Sequence, residues 1–167
     1  DAHSIGRVLI DTGSLRGDAT VALADYVPSP DGRLLAYALS DAGSDWKTWR
    51  VRDVALGVDL ADELQHTKFT SVSWARDGSG FYYSAYPGGD DQLQAVVRWH
   101  RIGSPQEQDT EVHAVHDHAT RVPYATVTHD GRYLVITLDE GTKSNGIVAI
   151  ALEVAGPADP TALPSDD

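Results

Sequence analysis

The fold is decided by Ser29-Pro30-Asp31-Gly32-Arg33-Leu34-Leu35-Ala36-Tyr37, where an Asp-Gly pair precedes an apolar run. The same pattern returns at Trp74–Tyr83 and at Thr128–Ile136. An Asp-Gly pair between apolar segments is typical of a β-hairpin, because both residues accept the positive φ that tight hairpin turns require. The sequence therefore predicts three hairpins.

The hairpins recur at nearly regular intervals. Asp31 and Asp77 are 46 residues apart, and Asp77 and Asp130 are 53 apart, close to the roughly 40 to 50 residues of a four-stranded propeller blade. We therefore expect an all-β chain of about three β-propeller blades, each a four-stranded antiparallel sheet. Propellers close with about four to eight blades, so the remaining blades come either from sequence outside this chain or from further copies of it; the first is simpler.

The composition of the chain suggests where each blade begins and ends. Residues 1–19 are expected to be a lead-in strand, at Arg7–Ile10, followed by a linker. Three blades then cover about 20–66, 67–118 and 119–153. Residues 154–167 are rich in Ala, Pro and Asp and are predicted to be a linker or frayed end.

Alternating apolar and polar residues predict the strands within these blades. The first blade has a weakly marked fourth strand, expected as a short edge strand at Val58–Leu64, although Ala61–His66 could instead form one helical turn. The second blade is expected to begin with a strand over Phe69–Ala75. No fourth strand is evident for the third blade. The other predicted strands are Val21–Val27, Leu34–Leu39, Trp46–Val54, Gly80–Tyr86, Gln94–Ile102, Glu111–Val115, Tyr124–Thr128, Arg132–Leu138 and Ile147–Glu153.

The charge of the chain restricts its partners. Thirteen Lys and Arg against 25 Asp and Glu give a formal net charge of −12, which disfavours nucleic-acid binding because such affinity comes mainly from basic groups. No apolar run approaches the roughly 20 residues that span a bilayer, so we expect a soluble domain with no membrane partner. The absence of cysteine leaves the compartment open between cytoplasm and periplasm.

Nucleophilic catalysis has no visible motif in this chain. The Gly-x-Ser-x-Gly pentapeptide of α/β-hydrolases is missing, and Ser44 and Ser104 follow glycines in predicted turns. We therefore predict no catalytic residue here.

A histidine cluster raises the question of a metal site. His113, His116 and His118 surround Asp117, and three imidazoles with an open fourth position can hold zinc. On a strand, however, His116 and His118 share one face while His113 points to the other. We predict no metal site and no cofactor.

Four tryptophans could form a ligand-stacking surface or fill the space between blades. Aromatic residues on strands more often do the second. We therefore predict that Trp46, Trp49, Trp74 and Trp99 are mainly core residues.

Four ordered segments add a family resemblance to this pattern: Gly43–Trp46, Lys68–Trp74, Gly80–Pro87 and Trp99–Gln106. Together with the hairpins they resemble the propeller domain of prolyl oligopeptidases, serine peptidases that cleave short peptides after proline. The resemblance implies a seven-bladed propeller capping an α/β-hydrolase domain, and it implies that the Ser, Asp and His of the catalytic triad lie in sequence absent from this chain.

The same resemblance implies a gating role. The propeller would restrict entry to short peptides, Val112 and His113 would lie near the substrate, and this chain alone would be inactive. Its implied partners are short proline-containing peptides and the hydrolase domain of the same parent chain. Two alternatives stay open: a stand-alone propeller that binds a partner protein through its rim, and the propeller of an oligopeptidase B-like enzyme with a preference for dibasic peptides.

Overall fold

A computed structural model describes residues 6–15, 21–41, 43–89, 94–114, 121–140 and 145–152. It holds eleven strands, one short helix and a 3-10 turn at Gln106–Gln108. The elements are α1 (Thr12–Leu15), β1 (Val21–Pro28), β2 (Leu34–Asp41), β3 (Trp46–Asp53), β4 (Val58–Lys68), β5 (Ser73–Trp74), β6 (Gly80–Ala85), β7 (Val96–Arg101), β8 (Thr110–Ala114), β9 (Val122–Val127), β10 (Tyr133–Asp139) and β11 (Asn145–Ala151).

The strands form three antiparallel sheets in chain order. β1 to β4 make the first sheet, β5 to β8 the second and β9 to β11 the third. Each sheet packs against the next, through β4 on β6 and through β6 and β7 on β9. The predicted all-β propeller architecture is confirmed.

The Asp-Gly turns have the predicted geometry. Gly32, Gly78 and Gly131 have φ of 71°, 71° and 74°, in the left-handed region that glycine adopts without a steric penalty. In each turn an oxygen of the preceding aspartate accepts a hydrogen bond from the backbone N–H two residues later, at 3.0 to 3.1 Å. These local bonds stabilise the turn whatever lies around it.

Two apolar clusters hold the sheets together. The first lies between sheets one and two, and the second between sheets two and three. Three tryptophans are buried in them as predicted, while Trp46 stays half-buried. The members of the first cluster are Ala36, Ala38, Trp49, Val51, Leu64, Val72, Trp74, Phe81, Tyr83 and Ala85, and those of the second are Ala75, Tyr82, Val97, Trp99, Val112, Leu134, Ile136 and Ile150.

The prediction of a lead-in strand at Arg7–Ile10 is wrong. These residues lie outside any strand, and α1 follows them. Side-chain-to-backbone hydrogen bonds hold them: Arg52 donates one to the carbonyl of Leu9, and the side chain of Arg7 donates one to the carbonyl of Ala55. The segment is thus held to the first sheet without joining it.

The fourth strand of the first sheet is longer than predicted. β4 runs over 11 residues to Lys68, and its pairing with β3 excludes the helical turn considered for Ala61–His66. Asp62 and Leu64 are buried while Ala61 and Glu63 are exposed, which is the period-two alternation of a strand. Register shifts against β3 accommodate this length.

The first strand of the second sheet is shorter than predicted. Only Ser73–Trp74 pairs with β6, instead of Phe69–Ala75. Phe69 has a φ of 65°, and the N–H of Thr70 bonds to the carbonyl of Lys68, so the chain turns here and pairing with β6 begins only at Ser73.

The third sheet contains three strands within the described residues. The predicted tail, residues 154–167, lies outside them. None of the described helices has the length and apolar character needed to cross a membrane.

Candidate functional site

A buried array of ionisable side chains joins the first two sheets. The His100 side chain on β7 is completely buried, as are those of Asp62 on β4 and Asp109 just before β8. Its Nδ1 lies 2.8 Å from Oδ1 of Asp109, and its Nε2 lies 3.0 Å from Oδ1 of Asp62. A ring that donates from both nitrogens is an imidazolium, so His100 carries a positive charge between two carboxylates.

The surroundings of His100 stabilise this charge. Burial alone would lower its pKa, but the hydrogen bonds to Asp109 and Asp62 outweigh burial and raise the pKa to about 9. Burial alone would raise the pKa of Asp62, because it disfavours the charged carboxylate. Hydrogen bonds from His100 and from the N–H of Gly103 outweigh burial and lower this pKa overall. The charges are therefore mutually compensated, as buried ions require.

Tyr83 extends the array along the second sheet. Its hydroxyl donates to Oδ2 of Asp109 at 2.7 Å. Burial first, and the negative charge of Asp109 second, raise the pKa of Tyr83. Because the ring and carboxylate atoms of His100 and its partners are buried, the array holds the blades together and has no surface on which to act chemically.

A side chain from the 3-10 turn between β7 and β8 also covers the outer edge of the first sheet. Gln106 accepts a hydrogen bond from the N–H of Gln65 at 2.9 Å and donates one to its carbonyl at 3.0 Å. The amide thereby pairs the free backbone groups of edge strand β4 as a neighbouring strand would. Both contacts fix the mutual orientation of the first two sheets.

A cluster of aromatic side chains around a cation lies where β4 ends. We call it the rim cluster: Trp46, His66, Lys68, Phe69 and Tyr86. The ammonium of Lys68 lies 4.3 Å from the ring centroid of Trp46, 4.5 Å from that of Tyr86 and 5.5 Å from that of Phe69. Trp46 also makes edge contacts with His66 and Tyr86.

Backbone strain is concentrated in this cluster. His66 and Phe69 have φ of 56° and 65° and are the non-glycine residues with positive φ among those described. The N–H of Thr70 bonds to the carbonyl of Lys68 at 2.8 Å, a γ-turn centred on Phe69, which is a strained conformation. Phe69 is nevertheless 53% exposed, and strain that presents an apolar residue to solvent is typical of a functional site.

The two residues expected near the substrate lie on β8. Val112 is only 3% exposed and belongs to the second apolar cluster, whereas His113 is half-buried. A side chain as buried as Val112 contacts its own core, so His113 has more surface to offer a ligand. Substrate contact by either residue stays a prediction.

The other sequence candidates have structural roles or lie outside the described residues. Ser44 accepts a hydrogen bond from the N–H of Trp46, and Ser104 donates one to the carbonyl of Arg101, as turn serines do. His116 and His118, with Asp117, lie outside the described residues.

Sequence reasoning missed both the buried array and the strain in the rim cluster. His100 bonds to residues 9 and 38 positions away, so no local motif marks it. The usable signal was a histidine next to Trp99 on a predicted strand, because a buried histidine needs polar partners. For Phe69 no signal in the sequence indicates a left-handed backbone.

Comparison with known proteins places these features in a family. Residues 2–162 match the family model described as "Prolyl oligopeptidase, N-terminal beta-propeller domain". The chain is 33% identical over 174 aligned residues to prolyl oligopeptidase A of Amanita bisporigera, covering 90% of this chain and 23% of that protein. The chain thus spans less than a quarter of that relative's length.

Solved structures show the same fold. One from a study of two prolyl endopeptidases superposes with a TM-score of 0.81 at 37% identity, over 90% of this chain and 21% of that one. Prolyl oligopeptidase B from Galerina marginata, bound to a 25mer macrocyclization substrate, superposes with a TM-score of 0.78 at 30% identity, over 89% and 23%.

Proposed function

Because this chain belongs to the prolyl oligopeptidase family, of which it matches the N-terminal β-propeller domain, we propose that it is the substrate-gating propeller portion of a serine peptidase that cleaves short peptides after proline. The triad would reside in an α/β-hydrolase domain of the same parent chain. In this role the propeller admits peptides and excludes folded proteins. Relatives named as prolyl oligopeptidases and endopeptidases support the proposal.

The observation that carries the proposal is the exposed ring of Phe69 on a strained turn. β4 and β8 are the fourth strands of their antiparallel sheets, so they run in the same direction and end on the same side of their blades. Phe69, just after β4, and His113, near the last residue of β8, are therefore on that same side. An apolar ring and an imidazole are groups that contact a short peptide. We infer that this end of the blades faces the substrate, with His113 at its surface and Val112 packed behind it in the core.

Kinetics of the full-length parent protein test this role. Replacing Phe69 by Ala should raise KM for a short prolyl peptide about two- to tenfold, because an aromatic contact contributes about 0.5–1.5 kcal/mol. Leu56→Ala is the matched control, since Leu56 is 73% exposed in the turn at the opposite end of the sheet. Equal kinetics of the Phe69 variant and the wild type would contradict the peptide-facing role.

Reporter peptides test the reaction itself. The full-length protein should hydrolyse a prolyl reporter faster than an arginyl one and lose this activity to a serine-directed inhibitor, and the 167-residue chain alone should hydrolyse neither. Preference for the arginyl reporter would favour the oligopeptidase B-like alternative. No hydrolysis by the full-length protein would favour the binding scaffold.

A further inference from the structure

A groove between the first two sheets is lined by Arg98, which forms no ion pair with the described residues. The groove has a volume of about 180 Å³ and is lined by Gln65, His66, Ala85, Pro87, Arg98, Gln106 and Glu107. Nε of Arg98 is buried and has no hydrogen-bond partner among the residues that the structure describes. Among the described residues no carboxylate lies within ion-pair distance of this guanidinium, although four other arginines have one.

This arrangement is energetically unfavourable unless something occupies the groove. A guanidinium has five N–H donors and cannot lose its charge, and a buried donor without an acceptor costs desolvation energy that no bond returns. The chain has a formal net charge of −12, so acidic partners for an arginine are plentiful. Because Arg98 forms no ion pair with the described residues, its charge is left for an anionic ligand of the groove.

The walls of the groove indicate what kind of ligand fits. Ala85 and Pro87 provide an apolar surface beside Arg98, and His66 is shared with the rim cluster, where it contacts Trp46. A ligand that spans both features needs an anionic group and an apolar or amide part. The forked guanidinium matches the two oxygens of a carboxylate.

We propose that this groove binds a peptide carboxylate, with Arg98 as the residue that holds it. The carboxylate is either the C-terminal group of a peptide or an acidic side chain. This site deepens the peptide-handling role proposed above and rests on it. Binding is measured without cleavage, so its failure leaves the gating role standing, and a failure of prolyl cleavage would leave carboxylate binding intact.

Glu107 provides an internal check. Glu107 lines the same groove, and its negative charge repels an incoming anion. Replacing Glu107 by Gln should therefore tighten carboxylate binding, whereas replacing Arg98 should weaken it. Opposite effects from two residues of one groove distinguish a site from general attraction to a surface.

Titration of the 167-residue chain with three acetylated Ala-Pro probes tests the proposal. The first has a free C-terminal carboxylate, the second a C-terminal amide, and the third a C-terminal amide with an added Glu side chain. The readouts are the NMR resonance of the Arg98 Nε–H and the dissociation constant from its shift. We expect at least one carboxylate probe to bind and shift this resonance, and the two carboxylate arms identify which source is preferred.

Variants complete the design. Arg98→Gln should weaken binding about tenfold or more, the loss expected for a charge-assisted hydrogen bond, and R98K should lie between R98Q and wild type. Arg101→Gln is the matched control, because Arg101 is exposed on the same strand and outside the groove. For these arginine variants binding is followed on the backbone amides of Ala85 and Gln106.

Several outcomes would overturn the proposal. They are equal binding of the amide and carboxylate probes, no shift with any probe, or equal losses from R98Q and R101Q. Weaker binding after Glu107→Gln would do so too. Circular dichroism of each variant shows that the fold is intact, and the Glu107 variant keeps the proposal testable if R98Q does not fold.

Discussion

The charge on His100 should make the stability of this domain depend on pH between about 6.5 and 9. The pKa of His100 is raised from 6.5 to about 9 in the folded chain, so folding takes up a proton in this range. Stability from this source is fully present below the pKa of the unfolded chain and is lost as pH rises through the folded pKa. A shift of this size corresponds to about 3 kcal/mol, a large part of the roughly 5–15 kcal/mol that stabilises a domain.

Other groups around His100 define the usable pH window. Asp62 has a lowered pKa, so its contribution is present above its ordinary range near 3.8 and is lost as pH falls below it. Tyr83, hydrogen-bonded to Asp109 and close to Arg98, has a raised pKa. The folded chain therefore opposes ionisation of Tyr83. As pH rises above the ordinary tyrosine pKa of about 10, the stability of the domain decreases further. Between these limits His100 dominates the pH dependence of the array.

Replacing His100 by Gln tests the magnitude. The amide cannot be positive, so Asp62 and Asp109 would be buried without a counter-ion, which typically costs about 3–5 kcal/mol. The loss should be greatest near pH 6.5 and should shrink towards pH 9, where wild-type His100 itself loses its proton. Urea unfolding followed by tryptophan fluorescence at about six pH values measures both curves.

His129→Gln is the matched control, because His129 is exposed in the turn between β9 and β10; it should change stability by less than about 0.5 kcal/mol. The reasoning is refuted if wild-type stability stays constant from pH 6.5 to 9. It is equally refuted if H100Q and H129Q behave alike. The wild-type pH profile alone decides the question if H100Q does not fold.

Two further substitutions use the same urea assay, one to test packing within the second sheet and one to test a contact between the first two sheets. Gly80→Ala places a Cβ 2.1 Å from the carbonyl oxygen of His100 and 2.7 Å from Cζ2 of Trp99, so it should lower the free energy of unfolding by about 3 kcal/mol. Gly6→Ala is the control, because there is open space around Gly6. Equal stability of the two variants would contradict this packing. Trp74→Phe removes the 3.0 Å hydrogen bond from the indole N–H to the carbonyl of Val27 and should cost about 1–3 kcal/mol; an unchanged urea midpoint would mean that this bond does not hold the first two sheets together.

The parts of the fold that could be predicted from sequence are those set by local chemistry. Asp31 and Gly32 form their turn through a positive φ at Gly32 and a hydrogen bond between residues two positions apart. The local sequence is therefore sufficient to predict this turn. The spacing of such turns then indicated blades. By contrast, the length of β4 depends on its pairing with β3 through two register shifts, and no short segment contains that information.

The candidate sites were less predictable because their partners are distant in sequence. Arg98 and Gln65 line one groove although they are 33 positions apart, and Phe69 is presented to solvent by a turn that its own side chain does not favour. Val112, expected at the substrate, lies in the core at 3% exposure. Strand alternation can suggest that a residue is buried or exposed, but it does not reveal which side chains meet across two sheets.

The division of the blades into two ends explains why stability and binding can vary separately. The Asp-Gly turns lie at one end of each sheet, where the hydrogen bonds of Asp31, Asp77 and Asp130 are all local. His100 is the next-to-last residue of β7, towards that same end. The strained turn at Phe69 follows the end of β4 at the opposite side. Because buried contacts and local turns anchor one end, the other can carry strained and exposed residues without unfolding the sheets.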